Sequence, residues 1–282
     1  MKVKSLHIYP LKSGRAVDQD EAEVTAWGLA GDRRYMVVDR DGKFITQREL
    51  QALAQVTAIA AHGALYLSKA GSEENLAVGF DPDRRIDVDI WGKVVSASLA
   101  FDAVNMALSN WLGAHVRLVH ADRRTARICS AEWAGAGVQT GFADGYPVLV
   151  ATTGSLRALN DATMEMGAET FGMERFRPNI VIDHDEPFAD DRWAAVEIGG
   201  IRYDLVKPCA RCIMTTQDQW TGERGGPDPM PAMRKLRMST DRRVAGVLFG
   251  WNAVPRSEGR VAVGDAVSIV AERPEGWPIR LR

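Results

Sequence analysis

The sequence predicts an α+β, strand-rich fold of two packed β-barrel-like domains with a few helices. Three observations lead there: short runs of alternating apolar and polar residues through the first hundred positions, one amphipathic helix opening at Asp102, and a second series of apolar runs after Tyr146. The division that follows is a β-barrel at 1–101, a connecting helix and strand at 102–120, and a larger β-rich domain at 121–282.

In the first part, strands are expected at 3–9, 22–27, 34–38, 55–61, 86–91 and 94–99. Ile86-Asp87-Val88-Asp89-Ile90 shows the period of a half-buried strand, and Asp41-Gly42, His62-Gly63 and Asp81-Pro82-Asp83 carry turn residues. Val104, Ala107, Leu108, Trp111 and Leu112 then fall on one helical face, with Asp102 placed to cap the start and Gly113 to end it. A strand at 116–120 and a polar loop at 122–127 follow. A continuous apolar run at 146–151 reads as a buried strand, and Leu156, Leu159, Thr163 and Met166 trace a helix ending at Gly167. Further strands are expected at 180–183, 194–198, 201–206, 244–249 and 266–270. No period of about 20 to 50 residues recurs, which excludes a repeat array.

Composition narrows the functional classes. Hydrophobic residues at 46% and charged residues at 26% are those of an ordinary globular protein. Lys plus Arg at 35 against Asp plus Glu at 37 leaves a net charge of −2, too little field for a general nucleic-acid binder, while a local basic pocket for a small anion stays open. No segment approaches the ~20 apolar residues of a membrane span. Pro10 interrupts the N-terminus before a signal-length apolar run, so the expectation is a cytoplasmic protein without a membrane anchor. The three cysteines, Cys129, Cys209 and Cys212, form no disulfide framework, and the single CxxC lacks the second pair a zinc site needs.

Several segments could carry chemistry. In Lys207-Pro208-Cys209-Ala210-Arg211-Cys212, a thiol beside Lys207 and Arg211 suits a metal thiolate or a redox dithiol; a small buried hydrophobe is the plain alternative. Arg175-Phe176-Arg177-Pro178-Asn179 suits an oxyanion at a strand mouth, unless its arginines are simply solvated. The turns holding Lys12-Ser13-Gly14 and Gly31-Asp32-Arg33 combine cations with glycine, as anion sites and ordinary surface turns both do. Asp144 precedes the apolar strand as a proton-handling group or a turn cap, and His120 ends a strand as a ligand or a satisfied structural residue. Packing explains Trp111, Met164 and Met166, whereas Trp220 lies in a turn that could face a substrate.

Taken together, Tyr9-Pro10-Leu11-Lys12-Ser13, Gly31-Asp32-Arg33, Arg175-Phe176-Arg177-Pro178-Asn179 and Lys207-Pro208-Cys209-Ala210-Arg211-Cys212-Ile213-Met214-Thr215-Thr216 resemble, in order, the MOSC family with its N-terminal β-barrel partner domain. Within it the chain is similar to the amidoxime-reducing components and their bacterial counterparts. The resemblance implies a molybdenum cofactor, molybdopterin with its Mo. Cys212 would be the thiolate on the metal, and Lys12, Ser13, Arg33, Arg177 and Asn179 would hold the pterin and its phosphate, with His120 near the same pocket. Asp144 would stand beside the metal for proton delivery or substrate positioning. The activity implied is reduction of N-hydroxylated compounds such as amidoximes, hydroxylamines and N-hydroxylated bases. A carrier of molybdenum cofactor or persulfide sulfur, and a phosphate-binding module, are the alternatives. No Cys-x4-Cys-x2-Cys run occurs, so electrons are expected from a separate donor protein of ferredoxin, flavin reductase or small haem type. Gly145, Tyr146, Gln217, Gln219 and Trp220 depart from the family pattern, which bears on substrate choice. Because the expected donors come from both halves, the cofactor is expected in the seam between them.

Overall fold

The computed structural model describes residues 1–61 and 64–280; the turn read at His62-Gly63 lies outside the described residues. The chain is strand-rich, as expected. An eight-stranded sheet runs, in spatial order, Val267–Glu272, Trp193–Ile198, Ile201–Ala210, Leu248–Pro255, Val148–Thr152, Ile180–Asp183, Lys2–Ile8 and Val17–Gln19. A four-stranded sheet pairs Tyr35–Val38, Arg117–His120, Lys93–Ala100 and Phe80–Ile90, and two three-stranded sheets complete the fold. Sheet membership does not follow chain order. The strand Lys2–Ile8 pairs with Ile180–Asp183, and Glu21–Thr25 pairs with Gly259–Ala262.

Alternation along these strands builds the cores. Val148 and Val150 point into the main core with Trp251, Ala253 and Leu205, which leaves Leu149 and Asn252 on the opposite face of the large sheet. In Lys2–Ile8 a bulge between Val3 and Ser5 re-phases the pattern, so Val3 and Leu6 reach the same core although three residues apart. The helix Thr153–Glu165 links the parallel strands Val148–Thr152 and Ile180–Asp183; the Thr152 hydroxyl accepts from the Ser155 backbone N–H and caps it. Leu159 and Ala162 of that helix pack with Phe176 and Phe249.

Several boundaries differ from the sequence reading. Asp102 opens the helix Asp102–Leu112 without capping it: Phe101 holds the cap position, and the carboxylate instead bonds Arg84 at 2.8 Å. Gly113 ends that helix at φ 64° as expected. Met166 lies beyond the last turn of its helix, and both it and Met164 are exposed, because the buried face is Leu159, Ala162 and Thr163. At 244–249 only the end is strand: a 3₁₀ turn covers Arg242–Val244, Gly246 takes φ 105°, and the strand starts at Leu248. Trp91 is not in a strand. It forms with Gly92 a two-residue hairpin turn, φ 55° and 76°, between Phe80–Ile90 and Lys93–Ala100.

Candidate functional site

Topology brings the distant motifs together. Leu6 pairs antiparallel with Ile180, so the chain leaving Ile8 runs beside the chain entering at Asn179. The His7 N–H donates to the Asn179 carbonyl at 2.9 Å, and the Tyr9 hydroxyl to the Pro178 carbonyl at 3.2 Å. The turn holding Lys12 and Ser13 thus meets the segment holding Arg177. Their floor is the face of the large sheet left free by the core, where Leu149, Asn252 and Cys209 lie, and the strand Ile201–Ala210 delivers Cys212 just past its end.

One pocket is lined by Lys12, Ser13, Arg33, Asp144, Arg177, Asn179 and Cys212, which are seven of the eight residues singled out from sequence. His120 is not brought there. It ends the strand Arg117–His120, stacked on Tyr35 at 4.8 Å and against Phe80 at 5.2 Å, and burial pulls its pKa down to about 4, with Arg34 adding to the effect. The Asn179 side chain is spent on backbone, accepting from the Leu149 N–H at 3.0 Å and donating to the His7 carbonyl at 3.1 Å. It stitches two strands at the pocket floor.

The pocket is cationic. Lys12, Arg33, Arg48, Arg177 and Arg211 line it against a single carboxylate, Asp144. Lys12 is buried; its ammonium donates to Asp144 Oδ1 at 2.5 Å and to the Phe142 carbonyl at 2.9 Å. Burial lowers the Lys12 pKa, with Asp144 opposing. For Asp144, desolvation pushes upward, but Lys12, the Trp91 indole N–H at 3.3 Å and Arg33 together hold the carboxyl well below the usual carboxylate range. Its side chain remains 78% exposed toward the pocket, so this is an ionised, accessible acceptor rather than a turn cap.

Arg33 and Arg177 flank the Tyr9 ring, with guanidinium carbons 4.1 and 4.2 Å from its centroid. Arg33 also pairs with Asp32 at 2.7 Å, and Arg177 donates to the Gly14 carbonyl and to Gln219 Oε1, both at 2.8 Å. Burial lowers the Arg177 pKa to about 10 and leaves it charged at neutral pH. Ser13, Arg33 and Arg177 all take positive φ, 64°, 44° and 52°; Trp91, bonded to Asp144, is a fourth. Non-glycine residues held there cluster where surrounding structure fixes them for function.

The two CxxC thiols differ in setting. Arg211 donates to Cys209 Sγ at 2.9 Å, whereas Cys212 is exposed, with Arg48 Nη1 3.9 Å from its sulfur. Among the described residues no group of three or more His, Cys, Asp or Glu could hold a metal. A metal on Cys212 would therefore take its other ligands from a cofactor. The donor set fits one that joins a soft metal to anionic groups: one exposed thiol, five surrounding cations, and a buried Arg211 Nε without a hydrogen-bond partner among the described residues.

Sequence reasoning missed Arg48 and Trp91, both from the first part of the chain. The two-residue Trp91-Gly92 step between alternating runs was the available signal for a hairpin tip. Trp220 does not line the pocket; Arg15 lies over its exposed ring at 4.9 Å. Of the family departures, Gly145 and Tyr146 line the pocket and Gln219 contacts Arg177.

Residues 1–115 match the MOSC N-terminal beta barrel domain and residues 138–268 the MOSC domain. The chain is 30% identical over 282 residues to mitochondrial amidoxime reducing component 2 of Rattus norvegicus, covering 94% of this chain and 82% of that protein. It is 29% identical to mitochondrial amidoxime-reducing component 1 of Danio rerio over 275 residues, and to that of Homo sapiens over 286 residues. Those matches cover 94% and 96% of this chain and 83% of each relative. The chain belongs to the MOSC family and carries both the MOSC N-terminal beta barrel domain and the MOSC domain.

Proposed function

We propose that the protein is a molybdenum-cofactor-dependent reductase of N-hydroxylated compounds, supplied with electrons by a separate donor protein. The observation that carries this reading is the joining of one exposed thiol, Cys212, to a cationic pocket with a single ionised carboxylate. When bound, the cofactor would supply two-electron chemistry at molybdenum, with the Cys212 thiolate as its protein ligand. Lys12, Ser13, Arg33 and Arg177 would hold its anionic groups, and Asn179 would fix the floor beneath them.

Asp144, being ionised, accepts rather than donates. It would take a hydrogen bond from the N–H or O–H of an N-hydroxylated substrate and hold the N–O group toward Cys212. The two protons that this two-electron reduction consumes, as oxygen leaves as water and nitrogen gains hydrogen, would come from the solvent side and from the Lys12 ammonium behind Asp144. Among the described residues no helix is long and apolar enough to cross a membrane.

The test is reduction of benzamidoxime by cofactor-loaded protein with reduced methyl viologen as electron source. Turnover in wild type, loss in Cys212→Ser and a much milder effect of Cys209→Ser are expected. Equal loss in both cysteine variants would indicate a redox dithiol instead.

A further inference from the structure

A second cavity adjoins the reactive pocket. Arg48 lines both: on one side it approaches Cys212, and on the other it borders an open groove of about 750 Å³ that also holds Phe44, Leu50 and Trp91. Arg48 lies over the Trp91 ring at 4.8 Å, and Phe44 meets the same ring at 4.8 Å, tilted by 58°. The indole N–H bonds Asp144, so this one residue touches both the groove and the carboxylate of the reactive pocket.

Trp91 is an expensive way to build a turn. A bulky residue at φ 55° is strained, and an aromatic ring left 50% exposed recovers only part of its burial free energy. The turn is nevertheless fixed, since Asp89 accepts from the Gly92 N–H at 2.7 Å. A packing role would bury the ring; here half of it stays open on a cavity wall. Lys43 and Arg48 face Asp39, Glu49 and Asp89 around the groove, so both charge signs are present and the selective surface is the aromatic one.

We infer that this groove is the subsite for the non-reacting part of the substrate, that it selects an aromatic substituent, and that Trp91 is its specificity-determining residue. The inference rests on the function proposed above and deepens it: the N–O group lies between Asp144 and Cys212, and the attached ring lies along Trp91.

The test compares benzamidoxime with acetamidoxime, which share the reacting group and differ only in the substituent. Cofactor-loaded wild type, Trp91→Ala and Trp91→Phe are assayed with reduced methyl viologen. Trp91→Ala should raise KM for benzamidoxime about tenfold more than it raises KM for acetamidoxime, the scale of one lost aromatic contact, since loss of the indole N–H on Asp144 falls on both substrates alike. Trp91→Phe, which keeps a ring but not the indole N–H, should recover most of the loss. Calorimetric titration of the corresponding amidines, benzamidine and acetamidine, should show the same preference without turnover. Equal losses on both substrates, or no rescue by Phe, would overturn the inference in favour of a role through Asp144. An unchanged Trp91→Ala would overturn the subsite. Wild type that reduces neither substrate yet binds benzamidine over acetamidine through Trp91 would refute the proposed reaction while upholding the aromatic subsite.

Discussion

Tyr9 tests how the cationic pocket is held together. Its pKa is pushed up to about 12 by burial, against the pull of Arg177 and Arg33, so the ring is neutral and both guanidinium groups rest on an uncharged aromatic face. Tyr9→Phe removes only the hydrogen bond to the Pro178 carbonyl, about 1 kcal/mol. Tyr9→Leu also removes two cation–π contacts of about 1 kcal/mol each, for a total of about 3 kcal/mol. In a chain of this size 1 kcal/mol shifts the melting temperature by about 2 °C, so the expected losses are about 2 °C for Phe and about 6 °C for Leu by calorimetry at neutral pH. If Leu melts within about 1 °C of Phe, the arginines are held by Asp32, Gln219 and the backbone carbonyls, and the aromatic account is wrong.

Three further outcomes follow from the buried charges. Burial and neighbouring Asp191 raise the pKa of Asp190 from 3.8 to about 7, so the folded state holds its proton more tightly; that stability is full below about pH 4 and lost as pH rises through about 7. Asp190→Asn should flatten the pH dependence of chemical denaturation between those limits. His120 has the opposite sign: with a pKa lowered from 6.5 to about 4, its contribution is present above pH 6.5 and lost as pH falls to about 4, and His120→Phe should remove that part of the acid slope. Arg237 pairs with Asp191 through two bonds of 2.7 and 2.8 Å inside the fold; Arg237→Met strands that carboxylate and should cost about 3–5 kcal/mol in urea titrations.

Local patterns were readable in the sequence where one element decides them. The helix Asp102–Leu112 follows from its apolar face and its closing glycine, and most strands from period-two runs. The sequence reading places a strand at 201–206, whereas it runs Ile201–Ala210 through Pro208, which has no N–H to give the ladder. It continues because register shifts between Leu205 and Lys207 and between Pro208 and Ala210 relax the ladder around the missing N–H. The pocket residues were found as motif fragments, but what joins them is long-range: only the pairing of Lys2–Ile8 with Ile180–Asp183 puts Lys12 beside Arg177. Arg48 and Trp91 went unnoticed for the same reason, since their meaning depends on what the fold sets against them. Asp102 misled because a helix-start aspartate can also serve a tertiary partner, here Arg84.

The most direct measurement is the molybdenum content of protein purified from a host that makes the cofactor, determined by elemental analysis beside Cys212→Ser, with circular dichroism confirming that both are folded. The account predicts about one molybdenum per chain in wild type and a marked fall in Cys212→Ser. Folded wild-type protein that takes up no molybdenum, even after reconstitution with the cofactor, would contradict it and favour a persulfide carrier at Cys212.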